Sequence, residues 1–199
     1  MPEKPRFHAF IDESLATKGS GGRRDFYILA VAYVPVGSFR DVREALLHAS
    51  SSDFMHATEL LRSNVGRREV IRLCQAAGPS VKFKIFFKEP LLSGDRDGEA
   101  TRIALFKAFL ADADAEPELQ IEEATYEVRR DGYMRQADNR TIRHLAMQHP
   151  KVKLRPQSPS TEKLLWLADL AAAAFRQSVL RGESAYMDSF LNAPEVILA

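Results

Sequence analysis

The clearest pattern in the chain is an alternation of apolar and basic residues between positions 81 and 88, interrupted only at Phe86. Its apolar positions fall on one face of a strand and its lysines on the other: Val81, Phe83, Ile85 and Phe87 against Lys82, Lys84 and Lys88. One solvated face is typical of an antiparallel strand, and lysines commonly protect an exposed sheet edge. We therefore predict an edge strand over residues 81–87, and we interpret its lysines as a solvated face.

Two segments near the start of the chain carry mostly apolar side chains on both faces of a predicted strand. Residues 7–14 and 26–34 are rich in aromatic and β-branched side chains, and a loop containing Gly19, Gly21 and Gly22 separates them. Strands that are apolar on both faces lie in the middle of a sheet. The pattern therefore predicts two neighbouring central strands, paired antiparallel.

Helical spacing of apolar residues alternates with shorter strand-like segments along the rest of the chain. It predicts helices from Ser38 to about 50, over 65–77, over 98–110 with Ile103, Phe106 and Leu110 buried, and over 139–148. A fourth strand is expected within 119–128 and a fifth over 152–155. Ser158 and Pro159 are suited to the first positions of a last helix. The order favours one α/β domain over residues 1–199, with a sheet of about five strands.

Composition narrows the kind of protein. The 199 residues are 45% hydrophobic and 28% charged, with a formal net charge of +1 and one cysteine, Cys74. A single cysteine excludes an internal disulfide framework and a cysteine-based zinc site. Because the net charge is close to zero, any binding of a polyanion must come from local basic clusters. No segment reaches the length of a membrane span and the start is not a signal peptide, so we expect a cytoplasmic protein. Cys74 is expected in the core.

The first predicted strand ends in two adjacent carboxylates, Asp12 and Glu13. Because strand side chains alternate, Asp12 shares a face with His8 and Phe10, while Glu13 points the other way. An acid at the end of a buried strand is costly unless something binds it, and a hard cation is the usual candidate. The alternative is a turn cap, since Asp-Glu-Ser is also common in loops.

Asp169 is a second acid in an apolar setting. The last predicted helix is apolar nearly all round, with four alanines after Leu170, and Asp169 lies in its middle. Arg176 is about 10 Å further along the helix axis, too far for an ion pair. Because an unpaired buried carboxylate is costly, we interpret Asp169 as a functional residue.

A sheet of this kind could gather four acids: Asp12, Glu59, Asp131 and Asp169. Converging carboxylates bind two divalent cations about 4 Å apart, which suits in-line attack on a phosphodiester. We therefore expect a site for Mg²⁺ or Mn²⁺.

Three segments resemble those of the domain-of-unknown-function 3800 family, which is found in bacteria and phages and is thought to be ribonuclease-H-like. They are Phe10-Ile11-Asp12-Glu13-Ser14, His56-Ala57-Thr58-Glu59-Leu60 and Leu167-Ala168-Asp169-Leu170. The resemblance implies a ribonuclease-H-like mixed sheet flanked by helices. It also matches Asp12 to the acid of the first strand, Asp169 to the acid of the closing helix and Glu59 to a helical acid. The fourth-strand acid departs from the pattern, because either Glu127 or Asp131 could serve.

Further candidates lie beside these acids. His56 and Glu59 would share one face of a helical turn, and Glu13 adjoins Asp12, so His56 and Glu13 join the candidate catalytic residues. His56 could equally be a helix cap or a half-buried imidazole. A basic cluster could hold phosphates, with Tyr126, Tyr133 and His144 available to stack bases, or could be a solvated face. It comprises Arg129, Arg130, Arg135, Arg140 and Arg143.

The sequence therefore predicts a metal-dependent nuclease, or a related phosphoryl-transfer enzyme, acting on RNA or DNA. The alternative is a non-catalytic nucleic-acid-binding or protein-interaction module on the same scaffold, since one fold hosts many functions. A weaker option is another metal-dependent hydrolase that uses His56. The oligomeric state does not follow from the sequence.

Overall fold

Two long strands form the centre of the sheet. In the computed structural model, which describes residues 5–18, 24–53, 55–128, 141–142, 144–145 and 147–199, β1 is Phe7–Ala16 and β2 is Phe26–Pro35. They pair antiparallel along their whole length, from Phe7 opposite Pro35 to Ala16 opposite Phe26. The predicted antiparallel central pair is confirmed.

Four further strands and five helices complete the described architecture. The strands are β3 (Lys82–Lys88), β4 (Glu123–Glu127), β5 (Lys153–Gln157) and β6 (Glu195–Leu198). The helices are α1 (Phe39–Ala49), α2 (Ala57–Leu60), α3 (Asn64–Ala76), α4 (Glu99–Ala115) and α5 (Leu165–Arg181). Short 3₁₀ helices lie at Val36–Ser38 and Met187–Ser189. Of the predicted helix 139–148, residues 141–142, 144–145 and 147–148 are helical and residues 139, 140, 143 and 146 lie outside the described part.

The sheet is mixed, with strand order β5-β4-β1-β2-β3-β6. β1, β2 and β3 pair antiparallel, β4 and β5 run parallel to β1, and β6 runs parallel to β3. Helices cover both faces of this sheet. The predicted mixed sheet flanked by helices is confirmed.

The two faces of β1 contribute to separate cores. Phe10 packs with the α5 residues Trp166 and Leu170 on one side of the sheet. Ile11 packs with the α4 residues Phe106 and Phe109 on the other. Alternation along the strand therefore decides which helix each β1 side chain meets.

The closing helix α5 lies directly on the centre of the sheet and contacts both β1 and β2. Four successive alanines, residues 171–174, are at most 4% exposed. Their small side chains let the helix backbone approach the strands closely, and Gly182 ends the helix in the left-handed conformation, with φ 69°. No helix in the described ranges is long and apolar enough to cross a membrane.

The prediction that residues 81–87 form a sheet edge is wrong, because β6 pairs with the outer side of β3. The lysine face is not solvated throughout either. The Lys84 side chain is only 7% exposed and contacts Asp112 of α4 and Glu116, the residue that follows α4. These two opposite charges neutralise the lysine and allow its burial, which the alternation alone could not show.

The last helix begins at Leu165 rather than at Ser158. The Ser158 carbonyl oxygen accepts hydrogen bonds from the N–H groups of Thr161 and Glu162, which form a turn. The Glu162 carboxylate then accepts from the Leu164 N–H at 3.0 Å and from Arg43 Nη2 at 2.7 Å. These contacts hold the intervening segment outside the helix.

Candidate active site

Asp12 lies on β1 between β2 and β4, on the face that α5 covers. The β1–β4 ladder ends with Ile11 opposite Tyr126, so the next residue on each strand, Asp12 and Glu127, are neighbours. Both side chains are half-buried. Since paired residues of a parallel ladder point to the same side, the two carboxylates lie on one face of the sheet.

Burial raises the pKa of Asp12 well above its ordinary value. The negative charge of Asp169 is the next largest cause, followed by that of Glu127, and a hydrogen bond from the Glu13 backbone N–H acts in the opposite direction. A carboxyl group surrounded by negative charges is stabilised either by remaining protonated or by binding a cation.

Asp169 is held by backbone rather than by a basic side chain. Its side chain is 15% exposed, and Oδ2 accepts a hydrogen bond from the Ala57 N–H at 2.9 Å. His56 Nδ1 lies 3.8 Å from the same oxygen. The start of α2 therefore lies against the middle of α5, and the fold brings Asp12, Asp169 and His56 into one region.

Glu59 lies on α2 with an exposed side chain, three residues after His56. Asp131 lies outside the described residues. Glu127, the other candidate for the fourth-strand acid, is the last residue of β4 and adjoins Asp12. The register therefore provides a reason to favour Glu127 that the sequence did not.

Glu13 points to the opposite face of the sheet. Arg102 of α4 donates to its carboxylate through Nε at 2.6 Å and through Nη2 at 2.8 Å, and the Tyr27 hydroxyl donates a further hydrogen bond. The Arg102 side chain is fully buried. Glu13 is thus part of a buried ion pair between β1 and α4, and its side chain does not join that of Asp12.

Among the described residues, no three acidic, histidine or cysteine side chains form a group that could hold a metal ion. The described part of the fold therefore brings together only some of the acids that the sequence predicts as metal ligands.

The predicted basic cluster lies mainly outside the described part of the chain, since Arg129, Arg130, Arg135, Arg140 and Arg143 are not described, nor is Tyr133. The expectation that Tyr126 could stack bases is wrong, because its side chain is 1% exposed and packs edge-on against Phe106. His144 is exposed. Cys74 is buried as predicted, and burial raises the pKa of its thiol to about 12.

Two features of the site had no clear signal in the sequence. One is the Ala57 N–H that binds Asp169, since a backbone donor leaves no trace in residue type. The other is Arg176, whose guanidinium reaches Ser14 and Leu15 at the end of β1. Its spacing from Asp169 excludes an ion pair between the two and gives no sign of the contacts with β1.

Comparisons with known proteins give one distant structural likeness and no family. No family model and no curated protein matches the chain. Among solved structures, the complex of PCNA with RNase HII from Archaeoglobus fulgidus is similar, with 18% identity over 86% of this chain and 73% of that one and a TM-score of 0.49. A likeness of this size carries no argument about the family or the activity of this chain. The resemblance to the domain-of-unknown-function 3800 family stays a prediction.

Proposed function

We propose that the protein is a divalent-metal-dependent nuclease acting on RNA or DNA. The observation that carries the proposal is Asp12, a half-buried acid whose pKa is raised by burial and by the charges of Asp169 and Glu127. Perturbed acids that crowd together cluster at functional sites, and a hard cation relieves their repulsion.

The donor set fits magnesium or manganese. Asp12, Asp169 and Glu127 offer only carboxylate oxygens, which are the ligands that hard cations prefer. We expect Asp12 and Asp169 to hold the metal, with further oxygens from Glu127 or Asp131 and from Glu59. When bound, such a metal polarises the scissile phosphate and activates a water molecule.

The protein's own residues hold the groups of this site in place and set their charges. A bound cation would favour the ionised form of Asp12, against the burial and the charges of Asp169 and Glu127 that raise its pKa. The Ala57 N–H holds Asp169 Oδ2 in a fixed place on α5. His56, partly exposed beside Asp169, can exchange a proton with solvent or contact a phosphate oxygen. Glu13 acts through its bond to Arg102, which anchors the end of β1.

A second candidate is a non-catalytic nucleic-acid-binding or protein-interaction module. It is favoured by the lack, within the described residues, of a three-residue group that could hold a metal. The two candidates share a scaffold and differ in whether the acids bind a cation.

The test combines cleavage with thermal unfolding. Single- and double-stranded RNA and DNA oligonucleotides are incubated with the protein in magnesium, in manganese and in EDTA. Melting is recorded with and without manganese, since a ligand that binds only the folded state raises its melting temperature. The variants are Asp12→Asn and Asp169→Asn, with Glu195→Gln as a control because that exposed acid lies on β6.

We expect metal-dependent cleavage and a manganese-dependent rise in melting temperature in the wild type and in Glu195→Gln. Both should be absent from Asp12→Asn and Asp169→Asn. No cleavage together with an unchanged melting temperature in millimolar manganese would overturn the nuclease proposal and favour the module.

A further inference from the structure

Arg176 is a half-buried cation whose partners are neutral. Nη1 donates to Ser14 Oγ at 2.8 Å and to the Leu15 carbonyl oxygen at 2.9 Å, and the guanidinium lies 5.9 Å from the ring centre of Phe26. Burial lowers the pKa of Arg176, and no carboxylate in the described part of the chain raises it again.

Two other arginines packed against the sheet or its helices are neutralised by carboxylates, whereas the half-buried Arg67 donates to the Leu61 carbonyl oxygen at 3.1 Å. The fully buried Arg102 pairs with Glu13, and the more exposed Arg43 pairs with Glu162. Partial burial of a charge without an opposite charge costs free energy. A neutral residue could supply the two hydrogen bonds that Arg176 makes without that cost, so the positive charge itself calls for an explanation.

The position of Arg176 relates it to the acids. Ser14 follows Asp12 by two residues on the same face of β1, which is about 7 Å along the strand. Arg176 follows Asp169 by seven residues on α5, which is two turns and about 10 Å along the same side of the helix. Arg176 therefore lies on the same face of the sheet as the carboxylates, about 7–10 Å from them towards the end of β1.

We propose that Arg176 binds a backbone phosphate of a nucleic-acid strand, next to the phosphodiester that Asp12 and Asp169 would hold; this inference rests on the proposed function. Guanidinium groups recognise phosphate through paired N–H donors. Only Nη1 of Arg176 donates to the protein among the described residues, which leaves Nη2 and Nε for a ligand. A phosphate would supply the negative charge that the described residues do not.

The experiment measures binding without metal, so it is independent of cleavage. Fluorescent single-stranded DNA and RNA of the same sequence are titrated with the protein in EDTA, by anisotropy, over a series of salt concentrations. The variants are Arg176→Gln, Arg176→Lys and, as a control for charge on the same helix, the exposed Arg181→Gln. Melting temperatures of all four proteins are recorded in the same buffer.

Arg176→Gln should weaken binding and reduce the slope of log K against log salt by about 0.7, the change expected for one lost phosphate contact on a single strand. Arg176→Lys should retain most of that slope, and Arg181→Gln should match the wild type. The melting temperature of Arg176→Gln should not fall, because the glutamine removes an uncompensated charge. Equal losses on DNA and RNA support a backbone contact, whereas a loss on RNA alone would overturn it.

A lower melting temperature with an unchanged salt slope would show that Arg176 is only structural and would overturn the inference. No binding of either strand by the wild type would overturn it as well. Failure of the nuclease proposal looks different: the Arg176-dependent slope would persist while metal-dependent cleavage is absent.

Discussion

Two adjacent acids at the end of β1 have opposite surroundings. Glu13 meets the buried Arg102 on the α4 side of the sheet, while Asp12 meets Asp169 and Glu127 on the α5 side. The alternation that separates them was readable from the sequence. Their partners were not, because Arg102 is 89 residues from Glu13 in the chain.

Removal of each charge should therefore change stability with a different sign. Asp169→Asn keeps an oxygen that can accept from the Ala57 N–H and removes one of the crowded charges, so the metal-free protein should be as stable as the wild type or more stable. Glu13→Gln leaves Arg102 buried without its counter-charge and should cost about 3–5 kcal/mol. Urea unfolding in EDTA measures both.

The Glu13→Gln protein also serves as the control for loss of a carboxylate beside the site. A large destabilisation by Asp169→Asn, with manganese binding retained, would mean that Asp169 has a structural role. That result would contradict its assignment as a metal ligand.

At the scale of elements, the five predicted strands all exist. The structure differs from the prediction where contacts between distant residues decide whether a segment is a strand, an edge or a helix. β6 spans four residues, too few for a periodic pattern to distinguish it from a loop. Because β6 was missed, β3 was placed at the edge. The start of α5 was predicted from Ser158 and Pro159, yet the contacts of Glu162 with Arg43 hold that segment in a turn.

The identity of the fourth-strand acid also depends on a contact that the sequence does not reveal. The glutamates around β4 obscure where the strand ends, so the sequence left Glu127 and Asp131 as alternatives. Only the pairing of Ile11 with Tyr126 reveals that Glu127 adjoins Asp12.

The contact between α4 and β3 depends on Lys84. This 7% exposed lysine donates to Asp112 at 2.9 Å and contacts Glu116, and Glu195 of β6 lies 3.7 Å from it. Lys84→Ala should destabilise the protein by about 3 kcal/mol, because the carboxylates of Asp112 and Glu116 lose their counter-charge in a partly buried place. Glu195 is 63% exposed, so Glu195→Gln should cost no more than about 1 kcal/mol.

Chemical denaturation of the two variants side by side tests this ranking. Equal losses would mean that Lys84 acts mainly through β6. A small loss in both would mean that α4 is held to the sheet by its apolar residues alone.

At the scale of the molecule, the order of elements predicted the mixed sheet, whereas function depends on a few side chains that the sheet brings together. The net charge of +1 supplies no general attraction for a polyanion. Recognition of nucleic acid therefore requires local positive charge, such as Arg176, close to the acids. Because one fold can host many activities, the side chains of the site decide which activity a protein has.

The pH dependence of stability reports the crowded acids directly. The pKa of Asp12 is higher in the folded protein than the ordinary value near 3.8. Between these two pKa values the folded state binds more protons than the unfolded state, so the free energy of unfolding decreases as pH rises. Asp12→Asn lacks this titration, and its stability relative to the wild type should increase with pH across the same window.

Melting temperatures in EDTA, recorded for both proteins from pH 4 upward, measure that difference, and Glu195→Gln should follow the wild type. Manganese should act in the opposite direction in the wild type and in Glu195→Gln but not in Asp12→Asn, because protons compete with the cation at low pH and its stabilising effect grows as pH rises. A gap between wild type and Asp12→Asn that is constant with pH would mean that Asp12 has the same charge when folded and unfolded. The crowding of carboxylates, and with it the main support for a metal site, would then be lost.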